Sequence, residues 1–145
     1  MLTLVALAIF IIHLLIAVEL IYRARHLINL RQTTPLGAQQ LPCLSIIVAA
    51  RNEEEQMGTA LTSLLHIEYP DLEVIAVNDR STDGTGQILS QMSINYRHLR
   101  TLTIDHLPEG WLGKNHALWQ GSQIASGQLL LFTDADIIMA PETLI

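Results

Sequence analysis

The chain has 145 residues with one cysteine, 50% hydrophobic residues, a formal net charge of −6 and a mean hydropathy of +0.34. That length suits one domain with a real core. A lone Cys43 excludes a disulfide scaffold and a zinc cluster built on cysteines. Disorder is excluded by the hydrophobic weight, with only 15% charged residues, and the acidic balance argues against nucleic acid as a partner.

The apolar weight sits first at the amino end. Residues 1–22 read MLTLVALAIFIIHLLIAVELIY, interrupted only by Thr3, His13 and Glu19. About 20 helical residues reach roughly 30 Å, the thickness of a hydrocarbon core, so a transmembrane helix is expected over 1–22. A cleaved signal peptide would open on basic residues and close on small ones. This segment has neither feature; a signal peptide and, after it, a buried soluble helix are the alternatives to a membrane anchor. His13 reads as a neutral imidazole turned toward a helix neighbour or the headgroups rather than as a functional group in lipid.

Charge is divided unevenly along the chain. Residues 1–52 carry Arg23, Arg25, Arg31 and Arg51 against Glu19 alone, whereas residues 53–145 carry four basic and thirteen acidic side chains. Arginines just after the apolar run place the remainder of the chain in the cytoplasm by the positive-inside rule. The expected arrangement is a single pass through the cell (inner) membrane. Residues 23–42 form a basic juxtamembrane arm and a linker, marked by Pro35, Gly37 and Pro42, and a domain is expected over 43–145.

That domain alternates strand and helix. Leu44–Ala49 is a short run of the kind buried on both faces of a sheet. Met57, Ala60, Leu61, Leu64 and Leu65 recur at helical spacing within a helix expected over Glu53–His66, with Asn52 as N-cap and three glutamates in its first turn. A second strand is expected at Leu72–Val77. A helix comes next, capped by Thr82 or Asp83, with Ile88, Leu89 and Met92 as its stripe. Leu99–Ile104 is a third, weaker strand, and Asn115–Ala125 a helix ended by Gly127 in the C-cap manner. Leu129–Thr133 is a fourth strand, expected to be under-covered, and Pro141–Ile145 reads as the first turn of a helix. The pattern predicts an α/β fold with a doubly wound parallel sheet and right-handed crossovers.

Ligands of such sheets bind beyond the carboxyl ends of the strands. Three of the four strands run into polar residues there: Arg51-Asn52-Glu53, Asn78-Asp79-Arg80 and Asp134-Ala135-Asp136. Two carboxylates two residues apart suit a hard cation whose shell is completed by water and phosphate, although a solvated Asp turn has the same letters. Asp79 is placed to accept from a ribose or a base N–H. Lys114, beside a helix start, is placed for an anionic phosphate, although a lone lysine is more often a surface residue. The glycine-rich turn of a dinucleotide oxidoreductase is missing after the first strand, and no phosphate-binding P-loop is present. The six histidines show no paired ligand spacing.

Taken together, SIIVAARNEEE, VNDRSTDGT, GWLGKNHALWQG and LLFTDAD resemble the family 2 inverting glycosyltransferases of the GT-A fold, over roughly residues 42–145. The tryptophan-to-glycine stretch with an N-terminal anchor is most similar to membrane enzymes that glycosylate lipids: hopanoid-associated, carotenoid and ceramide glycosyltransferases. The resemblance implies a nucleotide-sugar donor, with UDP the favoured nucleotide, a membrane lipid acceptor, and Mg2+ or Mn2+ as cofactor. By position in the motifs it implies that Ala50, Arg51 and Glu53 border the nucleotide and that Asp79 meets the uracil. Lys114 would lie along the donor, Asp134 near the ribose or sugar, and Asp136 on the metal. In that family the general base lies downstream of the D-x-D strand. The resemblance therefore implies a GT-A half-domain, cut short at Ile145, which binds donor and is inactive alone. The alternatives are a non-catalytic membrane-anchored nucleotide-binding module and, more distantly, an NAD-type oxidoreductase.

Overall fold

The computed structural model describes residues 2–25 and 41–144. Of the basic arm and linker expected over 23–42, residues 26–40 lie outside the described residues. The amino-terminal helix and the α/β domain belong to two separate compact units.

Helix α1 runs from Leu2 to Arg25, three residues beyond the expected end at Tyr22. Its 24 residues span about 36 Å, and Thr3–Arg25 is apolar and long enough to cross a membrane. His13 Nδ1–H donates to the Ile9 carbonyl at 2.8 Å, so the imidazole finds its partner within its own helix. Arg23 reaches back one turn to Glu19, with Nη2 2.8 Å from Oε1.

The domain consists of β1 (Leu44–Ala50), α2 (Met57–Leu65), β2 (Leu72–Asp79), α3 (Thr85–Asn95), β3 (Leu99–Ile104), α4 (Gly113–Ile124) and β4 (Leu129–Asp134). All pairings are parallel and the strand order is β3-β2-β1-β4. The order reverses between β1 and β4, which opens the crevice that doubly wound sheets use for ligands. β1 and β2 are the two inner strands of this sheet and read as near-continuous apolar runs because helices cover both their faces. On one face Ile46, Val48, Val74 and Ala76 pack with Met57, Leu61 and Leu64 of α2 and Leu89 of α3. On the other, Ile47, Ile75 and Val77 pack under Ala117 of α4.

Several local expectations are corrected. Helix α2 starts at Met57, not Glu53, and its N-cap is Gln56, not Asn52. Asn52 instead takes a left-handed conformation (φ 57°), so the three glutamates lie in the loop before the helix. Helix α4 ends through Ala125 in an extended conformation, and Gly127 is not its C-cap. Gly127 is needed for close approach, since a Cβ there would lie 2.5 Å from the Ser45 backbone nitrogen. Residues 141–144 form turns rather than the start of a helix. Strands β2 and β4 run one or two residues further than expected, taking Asn78, Asp79 and Asp134 into the ladder.

β4 is half covered, as its pattern suggested. Leu131 packs against the α2–α3 core, whereas Leu130 and Phe132 on the α4 side of the sheet stay exposed. At the amino end of the sheet Glu73 ties three strands to the α4–β4 connection. It accepts from Ser45 Oγ (2.6 Å), the Ser126 N–H (2.9 Å) and Arg100 Nη1 (2.7 Å).

Candidate functional site

At the opposite, carboxyl end of the sheet lies a cavity of about 330 Å³. It is lined by Ala49 and Ala50 at the end of β1, Arg51 and Glu53 just after it, Asp79 at the end of β2, Gly113 and Lys114 of α4, and Asp134, Ala135 and Asp136 at the end of β4. All seven residues singled out from the sequence (Ala50, Arg51, Glu53, Asp79, Lys114, Asp134 and Asp136) are thus brought to one cavity at the β1/β4 reversal.

Asp79 is the buried charged member of the group, with 4% of its side chain exposed. Its two oxygens accept from Arg80 in a fork, Nε to Oδ1 at 2.8 Å and Nη2 to Oδ2 at 3.1 Å. The hydrogen bond to Asp79 raises the Arg80 guanidinium above its ordinary value, against the opposing pull of burial. Arg80 adopts φ 56°, an uncommon conformation for a residue other than glycine. Gly113 leaves the room this pair requires: a Cβ at 113 would lie 2.6 Å from Arg80 Nη2 and 2.8 Å from Asp79 Oδ2. A glycine at the start of α4 therefore lets the helix end approach the ion pair closely.

The loops after β1 and β2 are strapped together, which fixes the rim that carries Arg51 and Glu53. Thr82 N–H donates to Asn52 Oδ1 (2.8 Å), and Asn52 N–H donates to Ser81 Oγ (3.1 Å). Glu53 N–H donates to Thr85 Oγ1 (2.9 Å), and Glu54 N–H to Asp83 Oδ2 (3.2 Å). Glu54 Oε2 in turn accepts the Gly84 N–H (2.6 Å) at the start of α3. Burial pushes the Asp83 carboxyl up, but bonds from the Thr85 hydroxyl and N–H and from the Glu54 N–H outweigh it, and the net shift is down. The N-cap of α3 is Gly84, not Thr82 or Asp83 as expected; Asp83, one residue earlier, accepts from the Thr85 N–H at 3.0 Å. Glu54, expected in the first turn of α2, serves α3 instead.

Across the cavity Lys114 Nζ donates to Asp134 Oδ1, and both side chains are half exposed. Lys114 is the second residue of α4, where the helix dipole and the uncapped N–H groups already favour an anion. Asp136 is exposed and makes no hydrogen bond or ion pair among the described residues. No group of three or more His, Cys, Asp or Glu side chains able to hold a metal occurs among the described residues. The donor set at the β4 end is two carboxylates, which fits a hard cation that takes its remaining ligands from water and phosphate rather than a cation in an all-protein cage.

From the sequence, Arg80 was one letter of a polar strand end with no role assigned, and Gly113 and the Lys114–Asp134 pair were missed. The first two had a signal, since Arg80 follows Asp79 and Gly113 precedes Lys114. The ion pair had none, because it joins residues twenty positions apart on different elements.

The arrangement offers cations (Arg51, Lys114) and a helix start for an anion, two carboxylates for a hard cation, and a buried acceptor at Asp79. Comparison with known proteins agrees with that chemistry. The sequence profile of glycosyl transferase family 2 matches residues 45–145. A Staphylococcus aureus protein named 4,4'-diaponeurosporenoate glycosyltransferase is 37% identical over 106 residues, 70% of this chain and 27% of that protein. The crystal structure of S. aureus TarS 1-349 in complex with UDP-GlcNAc aligns with TM-score 0.57 and 33% identity, covering 70% of this chain and 29% of that one. The mannosyltransferase PcManGT from Pyrobaculum calidifontis, solved with GDP-Man and Mn2+, aligns with TM-score 0.62 and 27% identity over 74% of this chain and 31% of that one. The chain therefore spans less than a third of each of these proteins.

Proposed function

The chain belongs to glycosyl transferase family 2, and on that basis we propose that its sheet-end cavity binds the diphosphate-linked sugar donor of a lipid glycosyltransferase. The observation that carries this reading is the convergence of Ala50, Arg51, Glu53, Asp79, Lys114, Asp134 and Asp136 on one 330 Å³ cavity. Ala50, Arg51 and Glu53 border the nucleotide. Asp79, held rigid by Arg80, accepts from the base, and a single N–H donor flanked by carbonyls, as in uracil, suits a carboxylate whose two oxygens are already engaged. Lys114 and the start of α4 take the diphosphate. Asp134 lies at the ribose or sugar, and Asp136, with Asp134 beside it, would hold Mg2+ or Mn2+. When bound, such a cation neutralises the diphosphate as it leaves.

Inverting transfer also needs a general base for the acceptor hydroxyl. In this reading the cavity carboxylates all have other tasks, which supports a base supplied from outside residues 1–145. A membrane lipid is the proposed acceptor, supported by helix α1 and by the likeness to an enzyme named for glycosylating diaponeurosporenoate. Arg23 and Arg25 at the end of α1 support a cytoplasmic side for the domain by the positive-inside rule.

The experiment is calorimetric titration of the folded chain, in detergent, with UDP in the presence of Mn2+. Saturable binding is expected, weakened at least tenfold in Asp136→Ala with the fold intact by circular dichroism. Equal affinity in the two proteins would overturn the assignment of Asp136, and no binding by either would overturn the donor site.

A further inference from the structure

The residue assigned to the diphosphate and one of the two carboxylates assigned to the cation satisfy each other: Lys114 Nζ donates to Asp134 Oδ1 across the cavity. From this juxtaposition we propose that the Lys114–Asp134 pair is a latch that couples nucleotide and cation binding, keeping each weak without the other. The inference rests on the donor-site reading above and adds to it a linkage between two ligands.

Each ligand competes with the pair for one of its members. A cation arriving alone must take Asp134 from Lys114, and the freed ammonium would then stand unpaired beside the metal. A nucleoside diphosphate arriving alone must take Lys114 from Asp134, and the freed carboxylate would then face the phosphates. When both arrive, Lys114 moves to the phosphates and Asp134 to the cation, and neither charge is stranded. Each ligand therefore raises the affinity for the other by the same factor, as linkage requires. The part of this coupling carried by the latch adds to the direct attraction between metal and phosphate. The neighbouring groups do not perform the same exchange. Asp136 has no cationic partner to release among the described residues, and Asp79 is held by Arg80, which does not line the cavity. Both members of the latch are half exposed, so the pair is a weak one. Breaking an exposed pair of this kind is worth about two- to fivefold in an equilibrium constant.

The test reads Mn2+ binding to the full chain without nucleotide, by the loss of the free-ion electron paramagnetic resonance signal, together with UDP binding in Mn2+ by calorimetry. Lys114→Met is expected to bind Mn2+ alone about two- to fivefold more tightly than the parent protein while binding UDP in Mn2+ more weakly. Lys114→Arg, which can re-form the pair, is expected to return Mn2+ affinity to the parent value. Arg51→Met removes a cavity cation that takes no part in the latch, and is expected to change Mn2+ affinity by less than about twofold. An unchanged Mn2+ affinity in Lys114→Met, or an equal gain in Arg51→Met, would overturn the latch while leaving the donor site standing. Absence of UDP binding by the folded parent protein in Mn2+ would instead overturn the donor site and the latch with it.

Discussion

At the scale of single residues, carboxylates serve different purposes at the two ends of the sheet. Glu73 at the amino end is structural. Burial pushes its carboxyl up, but the Ser126 N–H, the Ser45 hydroxyl and Arg100 together hold it down, from an ordinary 4.5 to about 2. Because the folded value lies below the unfolded one, the stabilisation is complete above about pH 4.5 and is lost as pH falls toward about 2. A depression of this size corresponds to about 3 kcal/mol. Glu73→Gln is expected to lower unfolding free energy at pH 7 and to flatten its fall between pH 4.5 and 2, as read by urea titrations across that range. An unchanged acid limb would contradict the role given to Glu73. This hub was not legible in the sequence, where Glu73 is one polar letter in an apolar run. Its partners Ser45 and Arg100 are brought to it by parallel pairing of three strands, and Ser126 by the α4–β4 connection. Lys114 and Asp134 were both legible as site residues, because each stands at the end of a patterned element. Their pairing was not, because no spacing rule links side chains on different elements.

At the scale of elements, hydrophobic periodicity located every strand and helix of the domain, and their ends were less legible. The three glutamates before Met57 looked like first-turn acids, but the loops after β1 and β2 bond to each other more fully than either could bond to its own helix. Glycines show the same limit. Gly127 reads as a helix stop in a linear view, yet in the folded domain it is the point where the α4–β4 connection touches the backbone of β1. Gly121 in α4 plays a milder form of that role, since a Cβ there would lie 2.6 Å from Ile47 Cγ2 and 3.1 Å from Val77 Cγ2. Alanine at 121 is expected to cost about 1–2 kcal/mol, a crowding cost partly offset by its better helix propensity. Alanine at 127 is expected to cost more, because the obstacle is backbone and no propensity gain offsets it. Denaturant unfolding of the two variants checks the order, and a smaller loss at 127 than at 121 would contradict this packing.

At the scale of the whole molecule, hydrophobicity and charge divide between parts with different tasks. The hydrophobic excess belongs in large measure to α1, and the acidity belongs to the α/β domain. Part of that acidity is gathered at the cavity rim, where it is interleaved with Arg51 and Lys114. The parallel order β3-β2-β1-β4 explains why the motifs converge. Residues from 50 to 136 meet only because β1 and β4 are neighbours: from β1 the chain steps to β2 and β3 on one side, then returns as β4 on the other. Alternation of strand and helix made the sheet legible in the sequence, and the polar strand ends made the rim legible. The coverage of β4 follows from the same order, since α4 lies over β1 and β2 and leaves Phe132 48% exposed.

If the rim is the donor site, it and no other surface of the domain receives a nucleoside diphosphate. Amide chemical-shift mapping of the folded chain, titrated with UDP and Mg2+, reads this residue by residue. Saturable shifts are expected at residues 49–53, 79–80, 113–114 and 134–136, with little change around Trp119 and Phe132. Shifts centred on the α4–β4 face, or none at saturating UDP, would contradict a donor site at the rim.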